Sequence, residues 1–180
     1  METNTGIVDT GTEFVVLLDE NGSPIGTADK QAVHGVDTPL HLAFSCHVYD
    51  SAGRVLVTRR ALTKVTWPGV WTNSFCGHPS PDESLQAAVA RRAAQELGIT
   101  VTDLEVVLPD FRYRAVDASG IVENEVCPVF RAVTTDAVVP NPAEVSEFMW
   151  LDPEQLRQAV AAAPFAFSPW LGWQLEQLGS

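Results

Sequence analysis

Cysteine is scarce in this chain: three thiols in 180 residues, at positions 46, 76 and 127. An odd, widely spaced set argues against a disulfide framework. Basic residues are scarce as well. Eleven Lys and Arg face 23 Asp and Glu, for a formal net charge of −12. Such a surface repels polyanions, so nucleic acid is not an expected partner. A small phosphate ligand would need local cations or metal ions. No apolar run approaches the ~18 residues of a membrane-spanning helix, so no membrane contact is expected. The opening METNTGIVDTGTEFV has neither the basic nor the apolar region of a secretory leader. A cytoplasmic protein is expected, with a monomer favoured.

What is present suffices for a full core. Hydrophobic residues make up 46% of the chain, and a chain of this length fits a single domain. A flexible segment over residues 1–12 and one domain over 13–180 are expected. EFVVLLDE (13–20) reads as a strand and NGSP as the turn after it. HLAFSCHVYD (41–50) is β-rich, and SAG turns it into RVLVTRR (54–60), an expected hairpin. ALTKVTWPGVWTNSFCGHP (61–79) lacks periodicity and reads as a long functional loop.

SPDESLQAAVARRAAQELGIT is the clearest helix. Ser80 suits the N-cap, Pro81 the first helical position, and Glu83 completes a capping box. Leu85, Val89, Ala93 and Leu97 predict a core-facing stripe, and Gly98 a left-handed C-terminal residue. Residues 105–116 and 122–134 read as strands around DASG, and 146–151 as another. Asp152 and Pro153 open a helix, and a last helix covers about 169–178. The pattern predicts an α+β fold, a mixed β-sheet flanked by helices.

Among the chemistry-bearing residues, Glu123 and Glu125 of ENEV fall on one face of a strand. Carboxylates so close repel, and a divalent cation relieves that. The competing reading is a solvated strand face, since exposed acids are common. The chain has only four histidines, His34, His41, His47 and His78. Imidazole with carboxylate suits zinc, manganese or iron. His34, His41, His78, Glu123 and Glu125 would make a five-ligand set, and spacing alone does not rank His47 against His41. Cys76 lies two residues before His78. A metal on His78 and the expected helix start at Ser80 would both favour its thiolate. The competing reading is an inert packed cysteine, the better one for Cys46 and Cys127.

Gly77, Glu83, Arg91, Glu96 and Gly98 match part of the Nudix pattern: glycine, five residues, glutamate, seven residues, arginine. Arg92 and Gln95 stand where that family expects further magnesium-binding glutamates. The box is therefore degenerate, which weakens a reading as a Nudix hydrolase of a nucleoside diphosphate derivative. Arg92 and Glu96, four apart, share a helix face. They could serve a phosphate and a magnesium ion, or form an ordinary surface ion pair worth under about 1 kcal/mol. Lys30, Arg60 and Lys64 are the other candidate phosphate contacts.

HLAFS, LVTRRALTK, WPGVWTNSFCGHP, PDFRYRA, GIVENEVCPVF and FAFSPW closely resemble segments of the type 1 isopentenyl-diphosphate Δ-isomerases. The likeness runs from about residue 13 to 175 and implies a Nudix-like fold. It implies an enzyme that interconverts isopentenyl and dimethylallyl diphosphate for isoprenoid biosynthesis. Cys76 and Glu125 would be the acid/base pair, Tyr113 would hydrogen-bond Glu125, and Trp170 would lie over the developing carbocation. His34, His41, His78, Glu123 and Glu125 would hold one divalent metal, manganese or zinc. Glu96 would hold magnesium against the diphosphate, with Lys30, Arg60, Lys64 and Arg92 nearby. His47 matches no ligand position of that family.

Overall fold

The computed structural model describes residues 13–179; residues 1–12, expected to be a flexible segment, lie outside them. In chain order the elements are β1 (Phe14–Leu18), β2 (Pro24–Asp29), α1 (Lys30–Val33), β3 (His41–Leu42), β4 (Phe44–Tyr49) and β5 (Val55–Arg60). Then come β6 (Trp71–Thr72), β7 (Phe75–Gly77), α2 (Leu85–Leu97), β8 (Thr102–Leu108), β9 (Arg112–Val116) and β10 (Val122–Val126). The chain closes with β11 (Val129–Val133), β12 (Val145–Leu151), α3 (Pro153–Ala162) and α4 (Pro169–Leu178).

Two mixed sheets result. One has the order β2-β1-β3-β10-β9 and the other β12-β5-β4-β11-β8, with β6 on β5 and β7 on β4. The β3–β4 and β10–β11 segments each pass from the first sheet to the second, and they pair in parallel in both. Backbone bonds carry the ladder across the junction, from Ala43 N–H to Val126 O (2.9 Å) and from Ser45 N–H to Pro128 O (3.1 Å). The expected continuous strands 105–116 and 122–134 are each broken, at Pro109 and Pro128. Proline has no N–H to give a ladder, which is the physical reason for both breaks.

The expected hairpin at 50–54 forms, but β4 and β5 pair only through Tyr49 and Val55 before diverging. The segment 71–77 enters the gap, with Thr58 opposite Thr72 on β5 and Ser45 opposite Cys76 on β4. This corrects the reading of 61–79 as loop throughout, since strands of two and three residues show no period. Side chains complete the fork. Ser74 Oγ accepts from Val48 N–H (2.8 Å) and donates to Leu56 O (2.6 Å). Thr58 Oγ1 lies 3.1 Å from both Asn73 O and Ser74 O. These bonds satisfy backbone groups that the divergent ladder leaves open.

Helix α2 starts later than expected. Asp82 adopts φ +66°, which no helix continues through. Ser84 is the N-cap, accepting from Ala87 N–H. The Ser80–Glu83 contacts do form (Ser80 N–H to Glu83 Oε2, 2.8 Å), but they close a turn instead. At the other end Gly98 takes the expected left-handed conformation, φ +64°. Val89, Ala93 and Leu97 of the stripe are fully buried against Phe44, Phe75 and Phe130. On the other side Leu156 of α3 and Leu171 of α4 pack on Val55 and Val57.

Gly77 sits where α2 crosses β7. A Cβ there would lie 2.8 Å from Phe44 Cζ and 2.9 Å from Arg92 Cγ. Overpacking of this kind costs about 1–3 kcal/mol, and one kcal/mol moves the melting point of a chain this size by ~2–4 °C. Gly77→Ala is expected to lower the thermal midpoint by several degrees. An unchanged midpoint would show that the crossing has room to spare.

Candidate active site

Strand register assembles the centre. In β10, Glu125 is opposite His41 on one side and Tyr113 on the other. Directly paired residues point to the same face of a sheet. Glu125 Oε2 accepts from Tyr113 OH at 2.8 Å, and its Oε1 lies 3.4 Å from His41 Nε2. His78, two residues beyond Cys76, brings its Nε2 to 3.0 Å from the same Oε1 and 3.2 Å from His41 Nε2. His34, which ends α1, reaches 3.0 Å from Glu123 Oε2. Thr66 Oγ1 donates to Glu123 Oε1 at 2.7 Å. Both glutamates are buried, which overturns the reading of ENEV as a solvated strand face.

The donor atoms of His34, His41, His78 and Glu125 all lie within 4.8 Å of one another, a grouping able to hold a metal ion. The hydrogen-bond pattern fits such an ion. His34 Nε2 and Glu123 Oε2 are buried and close, yet neither has a hydrogen-bond partner. His41 Nδ1 is 2.9 Å from Pro39 O, so in the neutral ring its proton faces that carbonyl and its Nε2 lone pair faces the cluster. Burial pulls His78 below the usual imidazole range. Burial acts the same way on His41, but the hydrogen bond and charge of Glu125 outweigh it and raise that ring. Burial opposes ionisation of Glu125. Hydrogen bonds from His41 and His78 nonetheless hold it well below the ordinary carboxylate range. His47 is not part of the cluster; it is buried with its Nε2 at 2.9 Å from Gln174 Oε1.

Cys76 occupies the adjacent strand β7. Its Sγ donates to Asn73 Oδ1 (3.3 Å) and lies 3.3 Å from Ser45 Oγ. Burial pushes the thiol up to about 11, against these two hydrogen bonds. The helix begins beyond Ser84 and not four residues from the sulfur, which removes one of the two grounds for a thiolate. The protonated thiol is a proton donor at neutral pH.

Asn73, fully buried, ties the thiol to the indole. Its Oδ1 also accepts from Trp170 Nε1 (3.1 Å), and its Nδ2 donates to Cys46 O (3.2 Å) and Phe75 O (2.8 Å). Two carbonyl acceptors on one side and an indole N–H on the other fix which way the amide points. Trp170, on the first turn of α4, packs at a tilt against Tyr113 (ring centroids 5.6 Å apart) and edge-to-face with Trp67 (5.2 Å). Tyr113 is pushed well above its usual range by burial and by the charge of Glu125, so its proton stays on oxygen.

One cavity of about 740 Å³ is lined by His34, His78, Glu123, Glu125, Cys76, Tyr113, Trp170 and the four cations Lys30, Arg60, Lys64 and Arg92. His41 sits behind that lining, fully buried. Arg60 is held by the Thr66 and Trp67 carbonyls, with its guanidinium 5.6 Å from the Trp170 ring centroid. Glu96 is not in the lining. Its Oε1 accepts from Arg92 Nε (3.0 Å) and Nη2 (2.5 Å), and both residues are buried. The pair is therefore not the ordinary surface contact that spacing alone allowed.

The NUDIX domain family matches residues 39–171. The isopentenyl-diphosphate Delta-isomerase of Clavibacter sepedonicus is 67% identical over 167 residues, covering 93% of this chain and 88% of its own. That of Leifsonia xyli subsp. xyli is 62% identical over 168 residues, covering 92% and 91%. The chain belongs to the isopentenyl-diphosphate Delta-isomerases. Solved structures share the fold of this chain at low identity. DR0079 from Deinococcus radiodurans aligns with a TM-score of 0.72 at 19% identity, over 93% of this chain and 100% of its own. A MutT NUDIX hydrolase from Burkholderia pseudomallei aligns with a TM-score of 0.60 at 21% identity, over 77% and 98%.

Asn73, Ser45, Thr66 and Gln174 join the isomerase site without a sequence signal that singles them out. The one available hint is TNS at 72–74, three polar residues that turn out fully or nearly fully buried. Asn73→Ala strands the Cys46 and Phe75 carbonyls. Buried groups left unsatisfied cost ~1–3 kcal/mol each, so a loss on the order of 2–3 kcal/mol in denaturant unfolding is expected. A loss below about 0.5 kcal/mol would mean that water takes over these bonds.

Proposed function

We propose that the protein converts isopentenyl diphosphate to dimethylallyl diphosphate and back by proton addition and removal at the two ends of an allylic unit. The observation that carries the reading is the content of one cavity. It holds a protonated thiol, an ionised carboxylate fixed by a tyrosine and two imidazoles, a buried indole and four cations. The incomplete Nudix glutamate run supports it too, since an isomerase must hold a diphosphate without cleaving it.

The chemistry needs no oxidant. The double-bond electron pair takes a proton at the terminal methylene carbon and leaves a tertiary carbocation. A proton then leaves the carbon on the other side, and its C–H pair becomes the new double bond. Two opposed proton-transfer groups are required, and Cys76 and Glu125 fill those roles. Tyr113 holds Glu125 in place by its hydrogen bond. The Trp170 face stabilises the cation, and the enclosing aromatic rings keep water from capturing it. Lys30, Arg60, Lys64 and Arg92 receive the diphosphate.

In the proposal His34, His41, His78, Glu123 and Glu125 hold one divalent ion, and the mixed imidazole–carboxylate set suits manganese or zinc. Glu96 would hold magnesium through the oxygen that Arg92 leaves free, from its place behind the cavity lining. When bound, these ions supply positive charge that offsets the carboxylates and the diphosphate. The protein works on a small diphosphate as a single domain, with the monomer as the proposed active species. Among the described residues no helix is long and apolar enough to cross a membrane, and the cytoplasm is the proposed location.

Isopentenyl diphosphate incubated with the protein and magnesium in heavy water is expected to give dimethylallyl diphosphate with deuterium in a methyl group. Cys76→Ala and Glu125→Gln should each slow turnover by roughly 10²–10⁴-fold. Release of phosphate in place of the isomer, or near-normal turnover by Cys76→Ala, would overturn the reading.

A further inference from the structure

Three of the four cavity cations are already engaged by carboxylates. Lys30 pairs with Glu13, Lys64 with Glu144, and Arg92 with both Glu96 and Glu144. Among the described residues Arg60 has no carboxylate partner and is bonded to backbone carbonyls and the Thr66 hydroxyl. Glu144 is the carboxylate that touches two of these cations. Its Oε2 receives Lys64 Nζ, and its Oε1 lies 3.3 Å from Arg92 Nη2. It does not line the cavity and stands behind the two cations.

The turn that carries it is tied by three backbone hydrogen bonds, two of them its own. Glu144 N–H donates to Asn141 O (2.9 Å), Asn141 N–H donates to Glu96 O (2.8 Å), and Glu144 O accepts from Ala61 N–H (3.0 Å). The turn carrying Glu144 is thus anchored both to α2, which presents Arg92, and to the segment leading to Lys64. The backbone beneath the carboxylate is thus held in place, and the side chain itself is held by Lys64 and Arg92.

Resting on the reading that Lys64 and Arg92 receive the diphosphate, we propose that Glu144 sets the affinity of this site by opposing it. The carboxylate takes up part of the positive charge of both cations, and it repels the incoming diphosphate through them. An enzyme whose substrate and product carry the same diphosphate must let that group go after each turnover. A fixed counter-charge behind the clamp weakens the hold on both without changing the groups that do the proton transfer. Charge–charge effects at this depth are screened less than at an open surface.

The test is calorimetric titration with inorganic diphosphate in the presence of magnesium. Glu144→Gln keeps the shape and removes the charge, and binding is expected to tighten by about three- to tenfold. Glu147→Gln changes the net charge equally, at an exposed pair with Arg59, and is expected to leave the affinity within about twofold. Unchanged or weaker binding by a folded Glu144→Gln would overturn the inference and make Glu144 a group that orients the cations. Equal tightening by both variants would overturn it in favour of a net-charge effect. Should Glu144→Gln fail to fold, Glu144→Asp keeps the charge but draws it back from Lys64, and must show an intermediate gain or the inference falls. Lys64→Gln is expected to weaken binding. If it does not, the diphosphate reading itself fails and the inference goes with it; if it does while Glu144→Gln brings no gain, the inference alone fails.

Discussion

Three imidazoles and two carboxylates converge in a largely buried cluster at one wall of the cavity, and the rest of the site is arranged around that fact. Desolvated charges are costly unless compensated. Here the compensation is incomplete within the protein: His34 Nε2, His78 Nδ1 and Glu123 Oε2 are buried without hydrogen-bond partners. A multivalent cation would offset the charge of both carboxylates and engage imidazole nitrogens at once, which a further protein donor would not do. The fold positions these atoms by the parallel register of β3 on β10, which sets His41 beside Glu125.

The second device is the fork between β4 and β5. Because the hairpin opens after one residue pair, β7 can lie on β4 and present Cys76 to the cavity. Asn73 and Ser74 make the opening tolerable by bonding to the strands on both sides. The same Asn73 oxygen takes the Cys76 thiol and the Trp170 indole, so strand β7 and helix α4 are registered to one another. Trp170 and Gln174 are one turn apart on α4 and both buried; the amide reaches Ser45, which in turn touches the Cys76 sulfur. Cys76 and Trp170 thus share one polar network.

Much of this was legible in the sequence. Alternation placed Glu123 and Glu125 on one face, the four-residue stripe found the buried side of α2, and Asp152–Pro153 marked the start of α3. The family resemblance named His34, His41, His78, Glu123 and Glu125, which the fold gathers together, and the four cations that line the same cavity. Other features were hidden for identifiable reasons. The two- and three-residue strands β6 and β7 are too short to show a period. The cap lies at Ser84 and not at Ser80, because a capping box can close a turn as well as a helix. The protonation of Cys76 depends on burial, which spacing does not report. Glu144 lies in a turn whose tie to α2 exists only in the folded chain.

The account depends most directly on a cation being part of the native centre. The measurement is thermal unfolding of the chelator-stripped protein as manganese or zinc is added back. The account predicts a saturable rise in the midpoint at one ion per chain, equivalent to ~2.7 kcal/mol at a free ion concentration a hundred times the dissociation constant, and no rise in His34→Ala. A stripped protein that unfolds at the same temperature with and without the ion would contradict it.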